Sequence, residues 1–325
     1  MVNDSIASVY NVGFLSTENY NVETQSLLFF FFYTNKTDIR VEEGSKELSY
    51  SLDIGDGRQI IYTYTFFADR YEIDLDIRFI GVSDYIIGRS VDFGWTVPLR
   101  STEKDPKQDG MGTSAYIYAA DELEQFKLTE AGADEFNFNG SIDWVATKTK
   151  FFSQIIKPVT PANAARLTGS QTGEQDDPLT RHNYTSGVQS PIPPEGKISY
   201  KLFVGPLTYE DIKAFDPNAF KMVEVGYNWM RFFSDPFVRF AVIPFFDFLS
   251  RFTSNYGLII IIFAALVKLV LSPLTLRSYK SMANMRELQP QMKELQEKYK
   301  DNPQKQQQET LKLYRKAKVN PLGGC

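Results

Sequence analysis

Residues 62–79 read "YTYTFFADRYEIDLDIRF", and this stretch decides the class of the first two thirds of the chain. Tyr62, Tyr64 and Phe66 alternate with Thr63 and Thr65. After Ala68-Asp69-Arg70, the residues Tyr71, Ile73, Leu75, Ile77 and Phe79 alternate with Glu72, Asp74, Asp76 and Arg78. Successive side chains of a strand point to opposite faces, so period-two alternation of this length marks a hairpin with one buried and one wet face. Shorter strand-like runs recur at 26–33, 114–119, 141–155 and 197–204. A parallel sheet would need long helices between its strands, and these runs lack them. An antiparallel β-sandwich over residues 1–215 is therefore expected. Two polar stretches, 98–112 and 157–196, the second rich in Pro, Gly, Ser and Thr, are expected to be surface loops. Thr208 followed by Asp211 reads as the capped start of a short helix through Ala214.

The opposite pattern follows. Residues 257–276, "GLIIIIFAALVKLVLSPLTL", are almost unbroken apolar sequence. At about 1.5 Å per residue, a helix of this length matches a hydrocarbon core about 30 Å thick, so a transmembrane helix is expected over 254–276. Lys268 lies near its middle. A charge there costs about 2.5 to 3.5 kcal/mol on insertion scales, which makes an intramembrane lysine a functional candidate. The plain alternatives, a helix-end lysine or a soluble core helix, are opposed by the centrality of Lys268 and the length of the run. Pro273 is expected to bend or end the helix.

Residues 216–253 lead into that segment. Trp229, Phe232, Phe233 and Phe237 crowd it, but Arg231, Asp235, Arg239, Asp247 and Arg251, with Pro236 and Pro244, oppose a spanning helix. An amphipathic segment at the membrane interface is expected, with those four aromatics as anchors. A core helix of the soluble domain is the alternative.

Charge assigns the sides. From residue 276 to the end there are eleven Lys/Arg against five Asp/Glu, a net of +6; the whole chain is −5, so the first 275 residues carry −11. By the positive-inside rule the basic part, 277–325, is expected to face the cytoplasm and residues 1–253 to lie outside, in the periplasm or an extracellular space. Within the basic part Met285, Leu288, Met292, Leu295 and Tyr299 step by three and four, a seam along a charged helix. Asp301-Asn302-Pro303 breaks it, and 304–318 reads as a second helix with Leu311, Tyr314 and Ala317 on one face. A cytoplasmic helical hairpin is expected, its basic faces solvated or near anionic headgroups. The start of the chain has neither a basic nor an apolar leader region, and its end, "VNPLGGC", is a turn, so further sequence is expected on both sides.

Catalytic chemistry finds little support. The single histidine, His182, is expected on a polar loop surface, without Cys or His neighbours for a metal site. The only cysteine is Cys325, so no intrachain disulfide forms. No phosphate-cradling glycine motif occurs, and the acidic groups Asp121-Glu122-Glu124 and Asp176-Asp177 sit in turn-like sequence. No enzyme activity, metal or cofactor is expected. Lys268 is the most specific signal left.

The stretch from Tyr256 onward, with its Ile-rich entry, a basic residue five before "SPLT", then "SMANMRELQP" and "KVNPLGGC", resembles the YidC family of membrane-protein insertases. More weakly, "YTYTFFADRYEIDLDIRF", "DWVATKTKFFSQII", "LFVGP" and "VGYNWMRFFSDPF" are similar to the large periplasmic domain of its Gram-negative members. The resemblance implies a periplasmic β-supersandwich, an interfacial amphipathic helix, a five-helix membrane core and a cytoplasmic hairpin. It also implies insertion of nascent inner-membrane proteins, alone or with the Sec translocon, with the ribosome or signal recognition machinery as further contacts. Neither cofactor nor nucleic acid takes part directly. Lys268 aligns with the positive charge of the family's hydrophilic groove, where arginine is common; lysine supplies a compact point charge in place of a planar fork. The family's first membrane helix and its later ones are not in this stretch. A membrane-tethered periplasmic protein binding carbohydrate or peptide is the alternative from another class.

Overall fold

In the computed structural model the chain divides into two units, residues 1–224 and 225–325. The structure describes residues 9–27, 30–31, 39–100, 104–174, 177, 180–223, 231–300 and 302–317.

The first unit is built on strands. β1 (Val9–Leu15), β2 (Asn21–Glu23), β3 (Phe30–Phe31), β4 (Ser45–Gly55), β5 (Arg58–Phe67), β6 (Glu72–Ile80) and β7 (Ser90–Arg100) precede a short helix α1 (Pro106–Gly112). β8 (Ser114–Ala119), β9 (Glu122–Phe126), β10 (Gly132–Lys148), β11 (Phe152–Pro158), β12 (Ala162–Gln171), β13 (Arg181–Pro191) and β14 (Lys197–Pro206) follow, then α2 (Tyr209–Phe215). The order is β2-β1-β7-β13-β12-β10-β11-β14-β6-β5-β4-β3, with β8 and β9 branching from β10, and every pairing is antiparallel. Phe93 of β7 and Tyr200 of β14 are separated by four strands in that order, yet their rings stack with centroids 4.5 Å apart. The sheet therefore closes on itself into two facing layers, as a sandwich does. Val12, Phe93, Leu167 and Val188 meet Ile60, Leu75, Ile77 and Leu202 in one core cluster.

The β5–β6 hairpin follows its alternation. Phe66 pairs with Ile73 and Gln59 with Ile80, and Ile60, Tyr62, Leu75, Ile77 and Phe79 are buried. Tyr71, which the alternation placed on the buried side, lies instead in the connecting turn, half exposed. The run at 141–155 is two strands, β10 and β11, joined by a turn. The run at 26–33 contributes β3 and otherwise lies largely outside the described residues.

Two corrections concern the expected loops. Residues 98–100 continue β7 and 106–112 form α1, whose first turn is capped by Asp105 accepting from the Gln108 N–H at 3.3 Å. Residues 157–196 contain β12 and β13, which are central strands of the sheet, paired from Ala164–Gln189 to Gln171–His182. Their inward positions include Gly169, Gln171, His182, Ser186 and Ser190, all buried. Alternation is present, but small and polar residues occupy the positions where Val and Ile would have announced it. Thr208 does precede α2, but its hydroxyl donates to the Asp211 carboxylate and the cap makes no side-chain bond to the backbone. Lys157 pairs with the buried Asp216 carboxylate at 2.7 Å, tying the end of α2 to β11.

The second unit is helical: α3 (Arg231–Phe237), a π-helical stretch (Val238–Val242), α4 (Ile243–Ser250), α5 (Tyr256–Glu287), α6 (Gln289–Lys298) and α7 (Pro303–Lys316). Pro236 and Pro244 flank the π stretch, where missing N–H donors favour a shifted hydrogen-bond register.

Candidate functional site

Three elements of the second unit carry the candidate residues. The first is the stretch through α3 and α4. Ser234, Val238, Val242, Phe246 and Leu249 form a half-buried stripe at helical spacing. Phe232, Phe237, Phe240 and Phe248 are exposed at 81, 54, 82 and 56%. Large rings this exposed along a helix that also carries charges make an amphipathic surface. Phe233 lies in α3, whereas Trp229 lies outside the described residues. Phe245 and Phe246 contact Phe263 of α5, with centroids 5.2 and 5.6 Å away.

The second element is α5. Among the described residues it is the one helix long and apolar enough to cross a membrane. The Asn255 side chain caps it, accepting from the Leu258 N–H at 3.2 Å. Ile261, Leu269, Val270 and Leu274 are 61 to 70% exposed. Lys268 is exposed among them, and among the described residues no carboxylate lies within ion-pair distance of it. Its neighbours one turn back, Ala264 and Ala265, are small. One turn forward is Ser272, then Thr275 and Tyr279, at spacings of four, three and four. This polar stripe from Lys268 towards the basic end of the chain is written in the sequence as i, i+4, i+7, i+11 spacing, a weaker signal than the charge itself.

Pro273 neither ends α5 nor leaves a carbonyl unpaired. Its missing N–H would have bonded the Leu269 carbonyl; the Ser272 hydroxyl donates to that carbonyl instead, at 2.8 Å. Thr275 donates to the Leu271 carbonyl at 2.9 Å. Hydroxyls that satisfy freed backbone groups are what a membrane helix needs around a proline, since no water is available there. The helix continues eleven residues past Leu276 to Glu287.

The third element is the pair α6 and α7 with the end of α5. Met285, Leu288, Met292, Leu295 and Tyr299 are each half-buried on an otherwise exposed surface. On α7 the half-buried set includes Gln306, Thr310, Leu313, Tyr314 and Ala317; Leu311, expected on that face, is 47% exposed. Asn302 caps α7, accepting from the Lys305 N–H at 3.1 Å. Lys298 and Lys305, one before and one after the turn in sequence, lie over the Tyr299 ring at 5.7 and 5.5 Å.

In the first unit His182 is not on a loop surface. It sits on β13 at 4% exposure, with no hydrogen-bond partner for its Nδ1. Burial lowers its pKa; Asp109 opposes that and Lys127 adds to it. Asp121, Glu122, Glu124 and Asp177 are exposed, and Asp176 lies outside the described residues. Among the described residues no group of three or more His, Cys, Asp or Glu is placed to hold a metal ion.

Residues 3–240 match the family described as YidC periplasmic domain, and residues 248–325 the family described as 60Kd inner membrane protein. The chain is 34% identical over 330 residues to the membrane protein insertase YidC of Chlorobaculum tepidum, covering 100% of this chain and 55% of the relative. With the insertase YidC of Prosthecochloris aestuarii it shares 36% over 331 residues, 99% of this chain and 54% of the relative. The chain thus spans about half the length of the curated relatives it matches. Among solved structures, an alpha-N-acetylgalactosaminidase NagBb from Bifidobacterium bifidum in complex with GalNAc is similar at a TM-score of 0.41 and 10% identity, over 68% of this chain and 34% of that one. Likeness that slight carries no functional weight.

Proposed function

Because this chain belongs to the YidC family of 60Kd inner membrane proteins, we propose that it is the periplasmic domain and one membrane-embedded helix of a membrane protein insertase. The observation that carries this reading is Lys268, a cation exposed on an apolar helix with no carboxylate partner among the described residues and a polar stripe leading away from it. In the complete protein, further helices enclose that stripe in a groove reached by water from the cytoplasm. There the ammonium group attracts the acidic or polar tail of a nascent inner-membrane protein, and the apolar segment behind the tail passes sideways into lipid. The attraction is strong because opposite charges about 4 Å apart gain roughly 4 kcal/mol at an effective dielectric near 20, against roughly 1 kcal/mol in water. No covalent step, metal or nucleotide is involved.

The other elements have supporting parts in the same reading. Phe232, Phe237, Phe240 and Phe248 lie in the headgroup layer on the periplasmic side and hold the α3–α4 stretch along the membrane, with Trp229 and Phe233 as further anchors. The hairpin with its seam of Met285, Leu288, Met292, Leu295 and Tyr299 lies in the cytoplasm and receives substrates, ribosome or signal recognition machinery. The Sec translocon is a partner for some clients.

The test replaces Lys268 in the full-length protein and follows insertion of substrates with acidic tails in cells depleted of the native insertase. Lys268→Glu is expected to lower insertion by about tenfold or more, the equivalent of about 1.4 kcal/mol, while Lys268→Arg stays within about twofold. Equal insertion by the two variants would remove charge attraction as the mechanism.

A further inference from the structure

Four stretches of the first unit meet at one end of the sheet: the β5–β6 turn at 68–71, the end of α1, the β10–β11 turn at 149–151, and residues 204–207 at the end of β14. The Val204 N–H donates to the Tyr71 carbonyl at 3.0 Å and the Leu207 N–H to the Phe151 carbonyl at 2.7 Å. Two glycines make the approach possible. A Cβ on Gly205 would lie 2.7 Å from Cβ and Cγ of Tyr71, and one on Gly112 would lie 2.9 Å from Cα of Lys150.

What this end presents is aromatic. Tyr71, Phe151 and Phe152 are 49, 47 and 60% exposed, and Val204 and Met111 beside them are exposed too. Turns are ordinarily built of Gly, Asn, Asp, Ser and Pro, and two adjacent phenylalanines at one bring no backbone advantage. Rings of this size left at loop tips mark a surface that something else covers. The backbone around them is already paired. The Thr149 N–H donates to the Phe152 carbonyl at 2.9 Å, the Phe152 N–H to the Thr149 hydroxyl at 3.2 Å, and the Ala68 N–H to the Gly44 carbonyl at 3.0 Å. A tip paired in this way can enter a layer poor in water without losing those hydrogen bonds.

Cations stand beside the rings. The Arg70 guanidinium lies 3.9 Å from the centroid of Phe67, and the Lys150 ammonium 5.1 Å from that of Phe151. Lys150 gives one proton to Gln108 Oε1 at 3.0 Å and keeps two for another acceptor; Arg70 is half exposed and stands 3.7 Å from Asp69. Glu42 and Glu43 near the β5–β6 turn are matched by Arg40 and Lys46, and Asp69 and Asp105 are outnumbered by Arg70, Lys104, Lys107 and Lys150. At the opposite end Leu15, Tyr20, Ile80 and Ile87 are exposed, but there Glu18, Asp56, Asp84 and Glu195 outnumber Arg78 and Arg89 among the exposed charges. Apolar rings with cations at their edges suit the headgroup layer of a bilayer, where rings sit at the interface and Lys or Arg reach phosphate.

We infer that this end of the first unit rests on a phospholipid bilayer, with Tyr71, Phe151 and Phe152 among the glycerol groups and Arg70 and Lys150 on phosphate. The inference goes beyond the insertase reading and does not depend on Lys268. In it α5 serves only as the anchor that keeps the unit near a membrane, where weak contacts count. The test uses the full chain in vesicles of phosphatidylethanolamine and phosphatidylglycerol, with Trp229→Phe so that the remaining tryptophans, Trp95 and Trp144, are buried. Phe152→Trp places a reporter at the rim and Tyr20→Trp one at the opposite end, about 30 Å away along the strands. Lipids brominated near the headgroup end of their acyl chains are expected to quench the added emission of Phe152→Trp by about half and to leave that of Tyr20→Trp unchanged. Adding Arg70→Glu and Lys150→Glu, both on exposed side chains, is expected to cut the quenching at least about threefold. Equal quenching of the two reporters, none at Phe152→Trp, or full quenching in the charge-reversed variant would each overturn the proposal. So would shielding of Phe152→Trp from acrylamide without quenching by the brominated lipid, which would give this surface to a second copy of the chain.

Discussion

Ile60, Leu75 and Ile77 in the first unit are fully buried, whereas Ile261, Leu269 and Leu274 in the second are 67 to 70% exposed. The residue types are the same and their surroundings opposite. In the first unit the apolar side chains find each other across two layers of one sheet, because alternation gives each strand an apolar face and a wet one. In the second unit α5 is apolar around most of its circumference, broken by the stripe from Lys268 to Tyr279, and most of its large apolar side chains stay exposed. The difference teaches which solvent each unit is built for: the strands supply their own apolar interior, and α5 relies on lipid or on further helices to provide one.

Substitutions that remove the same kind of side chain from the two units sharpen this comparison. The largest effect is expected for Phe93→Ala, which opens a cavity between the layers where the ring stacks on Tyr200. Unfolding followed through Trp95 and Trp144, both buried in the sheet, should show a loss of about 3 to 5 kcal/mol. A loss below about 1 kcal/mol would mean that the layers do not rely on this contact.

A smaller effect is expected from pH. Burial holds His182 below its ordinary pKa, so as pH falls the unfolded chain takes up the proton first. The stability this group contributes is therefore whole above about pH 6.5 and declines from there down to the lower folded-state pKa, by no more than about 1.4 kcal/mol per pH unit for one proton. Comparing urea midpoints of the parent and His182→Gln between pH 7.5 and 5 isolates the effect, since carboxylates titrate alike in both. Parallel pH profiles would place the imidazole in contact with water. The smallest effect belongs to Leu269→Ala on the exposed surface of α5, expected within about 0.5 kcal/mol in detergent. A loss comparable to that of Phe93→Ala would show that this side chain packs within the chain and would break the contrast.

Legibility differed between regions for a physical reason. The β5–β6 hairpin is written in Tyr, Ile, Leu and Phe at every second position, and α5 in twenty nearly continuous apolar residues; both are short-range patterns. The half-buried seam at Met285, Leu288, Met292, Leu295 and Tyr299 also follows from local spacing, although α5 runs on to Glu287 so that two helices share that seam. Residues 157–196 read as loop because Ser, Thr, Gly, Asn and Gln fill positions that are strand only by virtue of their neighbours. The polar stripe after Lys268 was written in plain spacing and simply less conspicuous than the charge.

By itself the sequence determined the alternation that makes a two-faced sheet, the apolar run of α5, the place of Lys268 within it, and the spacing of the seam with the break before α7. Each is a matter of periods of two or about 3.6 residues within one segment. Only the tertiary structure decided that β13 lies between β12 and β7, pairing Pro191 with Ser90 about a hundred residues away. From that pairing follows the burial of His182. A strand made of small polar residues has no apolar face strong enough to declare itself. It becomes a strand when both neighbours satisfy its backbone N–H and C=O groups, and those partners are chosen by the closure of the whole sheet.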